Sequence, residues 1–177
     1  MKKTLFSLTL ILFAFTTTLF AQKGPEDKSK RPSPPAKAMA KVHGKTITID
    51  YSQPSVKGRN VWDPNGQLAP YGKVWRTGAN EATIFETTGD LKVEGKTLPA
   101  GKYSLFTIPG ENEWTIIFNK TATQWGAYKY QEADDILRVK VPAHKSKTMN
   151  EKFVINITKS GRVSMAWADT MVDFKVK

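Results

Sequence analysis

The chain has 177 residues, carries a formal net charge of +11 from 27 Lys and Arg against 16 Asp and Glu, and contains no cysteine. This length suits one domain with a substantial core, and the absence of cysteine excludes disulfides and a lipid anchor on a cysteine. The positive charges are scattered rather than gathered in an arginine-rich run, which favours a solvated basic surface over nucleic-acid binding. Anionic polysaccharide or lipid headgroups are compatible with the charge.

Residues 1–21 have the pattern of a secretory signal peptide, with Lys2 and Lys3 before an apolar run and the small residue Ala21 before the expected cut. The alternative is a transmembrane anchor. It is disfavoured because only 18 residues separate Lys3 from Gln22, whereas a spanning helix needs roughly 20 apolar residues. Cleavage after Ala21 removes 21 of 177 residues and two positive charges, leaving 156 residues and a charge of +9. We therefore expect a secreted or periplasmic protein without stable transmembrane insertion after cleavage.

Residues 22–36 are rich in proline, serine and charge and show no apolar periodicity. Such a composition is typical of a disordered or extended tether. A single domain is then expected over residues 37–177.

Apolar and polar residues alternate along residues 36–42 and 47–51, which predicts a hairpin with His43 and Gly44 at its turn. The chain has only one other histidine, His144, in a predicted loop. With no cysteine and no paired histidine spacing, the sequence predicts no metal site and no cofactor.

Residues 52–73 form the longest irregular stretch, which proline and glycine interrupt repeatedly. Trp62 and Tyr71 argue against disorder here, because large aromatic side chains in a loop need something to pack on. We expect an ordered loop that covers one end of the domain and carries Arg59, Trp62 and Tyr71.

The remaining chain contains short apolar or alternating runs separated by turn residues, and no convincing amphipathic helix. One run is expected to stop at Pro142, before a basic loop over residues 143–150. About ten short strands at roughly ten-residue spacing predict an all-β antiparallel sandwich of jelly-roll or Ig-like type, with a barrel as the alternative. The expected strands after the long loop cover residues 74–77, 82–87, 90–94, 97–98, 102–108, 114–118, 136–141, 152–158, 162–168 and 171–176.

Two motifs, KVWRTGANEATIFE and VEGKTLPAGKYSLFTIPGENEWTIIFN, resemble the bacterial family known as domain of unknown function 2911. DYSQPSVKGR and QWGAYKY fit the same pattern. The resemblance implies secreted or periplasmic proteins, chiefly from Bacteroidetes-type bacteria, with an all-β domain and no established activity, so it supplies no catalytic residue. The positions that match are Tyr51, Pro54, Gly58, Arg59, Trp75, Arg76, Gly78, Ala79, Asn80, Glu81, Pro99, Gly101 and Tyr103.

The stretch from residue 73 to 86 concentrates a cation, an amide, a carboxylate and an indole, and it allows three interpretations. In the first, Arg76 and Glu81 form a structural ion pair across a hairpin, and Asn80 adopts a left-handed turn conformation beside Gly78. In the second, an enzyme uses Glu81 with a second carboxyl group from Asp63 or Glu86 to hydrolyse envelope or polysaccharide substrates.

In the third interpretation, polar and aromatic side chains meet in a cleft at one end of the domain and bind carbohydrate or another envelope component. Trp114 and Trp167 lie within predicted strands and are assigned to the core. The candidate ligand-binding residues are Arg59, Trp62, Trp75, Arg76, Asn80, Glu81, Trp125 and Tyr128.

Overall fold

The computed structural model describes residues 26–177, so the predicted signal peptide and residues 22–25 of the predicted tether lie outside the described residues. This part of the chain contains nine strands and two single-turn 3-10 helices, Lys28–Lys30 and Glu132–Asp134. The prediction of an all-β antiparallel fold with little helix is confirmed. The strands are β1 Pro35–Val42, β2 Lys45–Ser52, β3 Thr83–Thr87, β4 Leu91–Val93, β5 Lys96–Leu98, β6 Gly101–Ile108, β7 Glu113–Asn119, β8 Asp135–Ile157 and β9 Arg162–Lys175.

Seven strands form one sheet in the order β1-β2-β3-β6-β7-β8-β9, and β4 and β5 form a separate hairpin. All of these pairings are antiparallel. The sheet curls until β1 contacts β8, and alternate side chains such as Ile47 and Ile49 of β2 are completely buried in the enclosed core. This period-two burial is the physical basis of the alternation visible in the sequence.

The first hairpin has the predicted turn. Val42 pairs with Lys45, leaving His43 and Gly44 as a two-residue connection with φ of 46° and 84°. Positive φ at both positions is what a hairpin turn of this length needs, and glycine meets it without steric cost.

The last third of the chain differs from its prediction. β8 continues through Pro142 to Ile157, so the predicted strand end at Pro142 and the predicted basic loop over residues 143–150 are wrong. Pro142 is the last residue that pairs with β7, and Ala143 is the first that pairs with β9. A residue without an N–H fits at this change of partner. The register shifts after Lys145, so the basic stretch belongs to an irregular part of the strand.

β9 likewise joins two predicted strands, because the expected turn near Ala168 is a local irregularity with φ of 52° inside a continuous strand. The predicted strand over residues 74–77 is also wrong. Only Trp75 pairs there, in an isolated bridge with Thr107 of β6. The chain then turns through Thr77 and Asn80, which have φ of 54° and 59°, so the left-handed conformation predicted for Asn80 is confirmed.

Four tryptophans pack together inside the curled sheet, at ring-centroid distances of 5.3 to 6.3 Å. Trp114 and Trp167 are core residues as predicted, and Trp62 and Trp75 are buried with them. Tyr71 stacks on Trp62 at 5.9 Å with the rings nearly parallel. The long irregular stretch is therefore an ordered loop held by its aromatic residues, as the sequence predicts.

Candidate functional site

The backbone around Arg76 is fixed on both sides. Trp75 exchanges two hydrogen bonds with Thr107, at 2.7 and 2.9 Å, and the Arg76 carbonyl accepts one from the Thr83 N–H at 3.1 Å. The Thr83 hydroxyl donates to the Thr77 carbonyl at 2.6 Å. These bonds hold Arg76 between β3 and β6 although it belongs to no strand.

The loop over residues 124–128 lies beside this segment because its backbone pairs with residues 80–82. The Ala82 N–H donates to the Gln124 carbonyl at 3.0 Å, and the Gly126 N–H donates to the Asn80 carbonyl at 3.1 Å. Gly126 has φ of 62°, and a Cβ there would lie only 2.9 Å from the ring of Tyr128. Glycine therefore lets the Tyr128 ring lie close over the loop backbone.

An open cleft of about 670 Å³ lies between the loop over residues 67–76 and the loop over residues 124–128. We call it the Arg76 cleft. No Asp or Glu lines it, and the Tyr128 side chain at its wall is 84% exposed. Its polar and aromatic lining includes Gln67, Lys73, Trp75, Arg76 and Tyr128.

Arg76 contributes an unpaired guanidinium to this cleft. Its Nε is buried and has no hydrogen-bond partner among the described residues. Burial lowers the pKa of Arg76, an effect that the neighbouring Tyr128 partly opposes, but an arginine remains a cation at neutral pH.

The predicted Arg76–Glu81 ion pair is wrong. The Glu81 carboxylate instead accepts hydrogen bonds from Lys28 Nζ at 2.9 Å and Arg31 Nη1 at 2.8 Å. The hairpin that would have joined the two residues does not exist, because Trp75 pairs with β6 and Glu81 pairs with Trp125. Arg76 and Glu81 consequently line different cavities.

Residues 26–34, which we call the N-terminal strap, supply the partners of Glu81. The guanidinium of Arg31 also binds Glu26, at 2.6 and 2.9 Å, and lies 5.9 Å from the centre of the Trp125 ring. The Asn80 side chain donates to the Ser33 carbonyl at 3.0 Å. These contacts attach residues 26–34 to the domain, within a stretch whose composition predicts a disordered or extended tether.

A second cavity, of about 300 Å³, lies beneath the strap and is lined by Arg31, Asp50, Glu81 and Gln124 among others. Burial opposes ionisation of Glu81, but hydrogen bonds from Lys28 and Arg31 outweigh it and lower its pKa to about 2. An ionised carboxylate at neutral pH does not serve as a general acid. The suggested second carboxyls, Asp63 and Glu86, line neither cavity.

The chain matches, over residues 33–176, the family described as protein of unknown function (DUF2911). The chain belongs to the DUF2911 family. No curated protein and no solved structure is similar enough to this chain to count as a match. The fold and the cleft of this DUF2911 protein therefore have to be interpreted from its own residues.

In this DUF2911 protein the eight predicted site residues fall into separate groups. Arg76 and Tyr128 meet in the Arg76 cleft with the buried Trp75, whereas Trp62 is buried in the tryptophan cluster and does not line the cleft. On the strap side lie Asn80, Glu81 and Trp125. Arg59 stands apart: its side chain donates to the Ser55 and Val56 carbonyls, and it lines neither cavity.

Sequence reasoning missed Gln67 and Lys73 in the cleft and Lys28 and Arg31 in the strap. Their positions depend on distant backbone contacts, such as the Gly72 N–H that donates to the Pro109 carbonyl at 2.8 Å.

Within residues 26–177 no helix is long and apolar enough to cross a membrane, and no three His, Asp or Glu side chains gather as a metal site.

Proposed function

We propose that this DUF2911 protein is an exported, envelope-associated binding module and that the Arg76 cleft holds a carbohydrate ligand. The observation that carries the proposal is the meeting of an unpaired guanidinium and an exposed aromatic ring in one open cleft. Export is supported by the signal-peptide pattern of residues 1–21.

The lining of the Arg76 cleft suits a sugar. Apolar faces of a sugar ring stack on an aromatic side chain, and Tyr128 offers a ring that is 84% exposed. Hydroxyl groups of a sugar need hydrogen-bond donors and acceptors, which the Gln67 amide and the Lys73 ammonium provide. A volume of about 670 Å³ lies within the usual range of ligand pockets, roughly 300–1,000 Å³.

The cleft is also rigid on two sides. Its floor rests on the Trp75–Thr107 bridge and the tryptophan cluster, and its Tyr128 wall is tied by backbone hydrogen bonds to Asn80 and Ala82. A preformed site loses less conformational entropy when a ligand binds, so weak individual contacts with hydroxyl groups suffice for measurable affinity.

The proposal is tested by screening the protein against a glycan array and measuring each hit by titration calorimetry, with Tyr128→Ala as the first variant. We expect Tyr128→Ala to weaken binding about 5- to 30-fold, which corresponds to roughly 1–2 kcal/mol of lost ring stacking. Trp125→Ala is the matched control. It removes an exposed aromatic ring from the same loop but not from the cleft. Unchanged affinity in a folded Tyr128→Ala protein would place the ligand elsewhere.

A further inference from the structure

Arg76 differs from every other arginine in the described chain. Arg31, Arg138 and Arg162 form ion pairs with carboxylates, and Arg59 donates to two backbone carbonyls. Arg76 forms no ion pair with a carboxylate of residues 26–177, and its buried Nε donates to none of their atoms. Within residues 26–177 one guanidinium therefore has no partner, and it lies where the chain also forms an open cleft.

This arrangement costs stability. Moving a charged group out of water is unfavourable unless hydrogen bonds or an opposite charge compensate for it. No carboxylate lines the cleft to compensate for the buried part of the guanidinium, and Lys73 adds a second cation to the lining. Both charges favour an anion in the cleft.

The guanidinium of Arg76 is also well placed to bind an anion. The backbone of Arg76 is fixed by the Trp75–Thr107 bridge and by the hydrogen bond from Thr83. A planar guanidinium on a fixed backbone binds a carboxylate or sulfate through two parallel N–H donors, a geometry that a lysine does not reproduce.

We infer that the ligand of the Arg76 cleft is an acidic saccharide whose carboxylate or sulfate group binds Arg76 while its sugar ring packs on Tyr128. This inference rests on the proposed carbohydrate-binding function and names the chemical class of its ligand. The positive net charge expected after removal of residues 1–21, +9, attracts the same class of ligand over a longer range.

The first experiment compares acidic glycans with matched neutral forms in titration calorimetry with the full protein. Trigalacturonic acid is paired with its methyl ester, and a sulfated galactan oligosaccharide is paired with its desulfated form, beside the array hits. We expect an acidic member to bind at least about 10-fold more tightly than its neutral form, as the loss of a charged hydrogen bond predicts. Equal affinity for both forms overturns the inference and leaves the proposed function standing. Binding of no glycan at all overturns both.

Free sodium sulfate and sodium acetate are titrated as a separate arm, because a simple anion could provide the same charge. We expect them to bind far more weakly than the acidic oligosaccharide. If either anion binds as tightly as the oligosaccharide, the sugar ring is not recognised and the inference fails.

The second experiment uses Arg76→Lys and Arg76→Met. Arg76→Lys keeps the charge but loses the two parallel donors, so we expect an intermediate affinity, and we expect Arg76→Met to bind the acidic glycan roughly 10- to 100-fold more weakly. Lys129→Met is the control for net charge, because Lys129 is exposed next to Tyr128 but does not line the cleft. If Arg76→Met and Lys129→Met weaken binding equally, the effect is one of overall charge and the inference is wrong.

Discussion

Arg76 and Arg31 show how two arginines of one chain are used differently. Arg31 lies between Glu26, Glu81 and the Trp125 ring, and only 11% of its side chain is exposed. Its Nη1 donates to Glu81 and holds the N-terminal strap to the domain, and its Nε and Nη2 donate to Glu26 within the strap. Arg76 is fixed by its backbone, but its guanidinium has no hydrogen-bond partner among residues 26–177, which is the condition expected of a residue kept for a ligand.

A residue retained for binding rather than for folding should be replaceable without loss of stability. We expect the free energy of unfolding of Arg76→Met to lie within about 1 kcal/mol of the wild-type value, or above it, because the change removes an unpaired, partly buried charge and keeps the apolar stem. Urea denaturation followed by tryptophan fluorescence measures this. A loss greater than about 2 kcal/mol would mean that Arg76 supports the fold through contacts absent from this account.

The lowered pKa of Glu81 predicts how the stability of the protein depends on pH. Its pKa is lowered from an ordinary 4.5 to about 2 in the folded chain, so the unfolded chain binds the proton first as the pH falls. Its contribution to stability is therefore complete above about pH 4.5 and is lost between that pH and about pH 2. We expect the melting temperature of Glu81→Gln to lie below that of the wild type at neutral pH and to converge with it near pH 2.

The matched control for Glu81→Gln is Glu86→Gln, because the Glu86 carboxylate lies 3.9 Å from Lys102 at the exposed surface. Exposed pairs of this kind contribute roughly 0–1 kcal/mol, so we expect a small effect at neutral pH. A gap between wild type and Glu81→Gln that stays constant down to pH 2 would contradict the strap contacts described above.

At the scale of elements, the long loop and the sheet are joined by the tryptophan cluster. Trp62 packs against three other tryptophans and donates its Nε1–H to Asp169 at 3.3 Å. Trp75 stacks on Trp167 at 5.5 Å and places the next residue, Arg76, in the cleft. The floor of the cleft is therefore part of the hydrophobic core.

Trp62→Ala should release this loop. We expect a loss of about 3–5 kcal/mol in the free energy of unfolding, because the change leaves a large cavity in a close-packed cluster. Limited proteolysis should detect earlier cleavage within residues 53–74. Trp125→Ala is the comparison: its ring is 56% exposed, and truncation there should leave both measurements almost unchanged. Similar proteolysis of both variants would show that Trp62 does not anchor the loop.

At the scale of the whole molecule, the alternation of apolar and polar residues was sufficient to predict an all-β antiparallel fold, because burial with period two is a local property of a strand. The path of β8 through Pro142 was not predictable in this way, since it depends on which neighbour the strand pairs with on each side of the proline. The buried roles of Trp62 and Trp75 likewise depend on partners far away in the chain.

The candidate site was predictable in composition but not in arrangement. Arg76 and Tyr128 are two of the candidate residues chosen from their types and positions, and they line one cleft. The predicted ion pair between Arg76 and Glu81 does not form, because the positive φ angles of Thr77 and Asn80 turn the chain away from a hairpin. The partners of Glu81 are Lys28 and Arg31, 53 and 50 residues earlier, which no local pattern indicates.

Residues 1–21 are the basis for predicting that the protein is exported. If residues 1–21 are a signal peptide, the protein recovered from the cell envelope or the medium should begin at Gln22. Intact-mass measurement and N-terminal peptide sequencing decide this directly. Replacement of Ala21 by a bulky residue such as Phe should hinder cleavage, because the position before the cut requires a small side chain. Recovery of a full-length chain beginning at Met1 from the cytoplasm would contradict export.

Nuclear magnetic resonance can locate a bound ligand and so decide whether it lies in the Arg76 cleft. The chain has a mass of 19.8 kDa, which permits assignment of backbone amides and of the Arg76 Nε–H group. On titration with the acidic glycan of highest affinity, we expect the largest shifts at Arg76 Nε–H and at the amides of residues 124–128. Shifts confined to the strap and to residues around Asp50, with Arg76 Nε–H unchanged, would contradict binding in the Arg76 cleft.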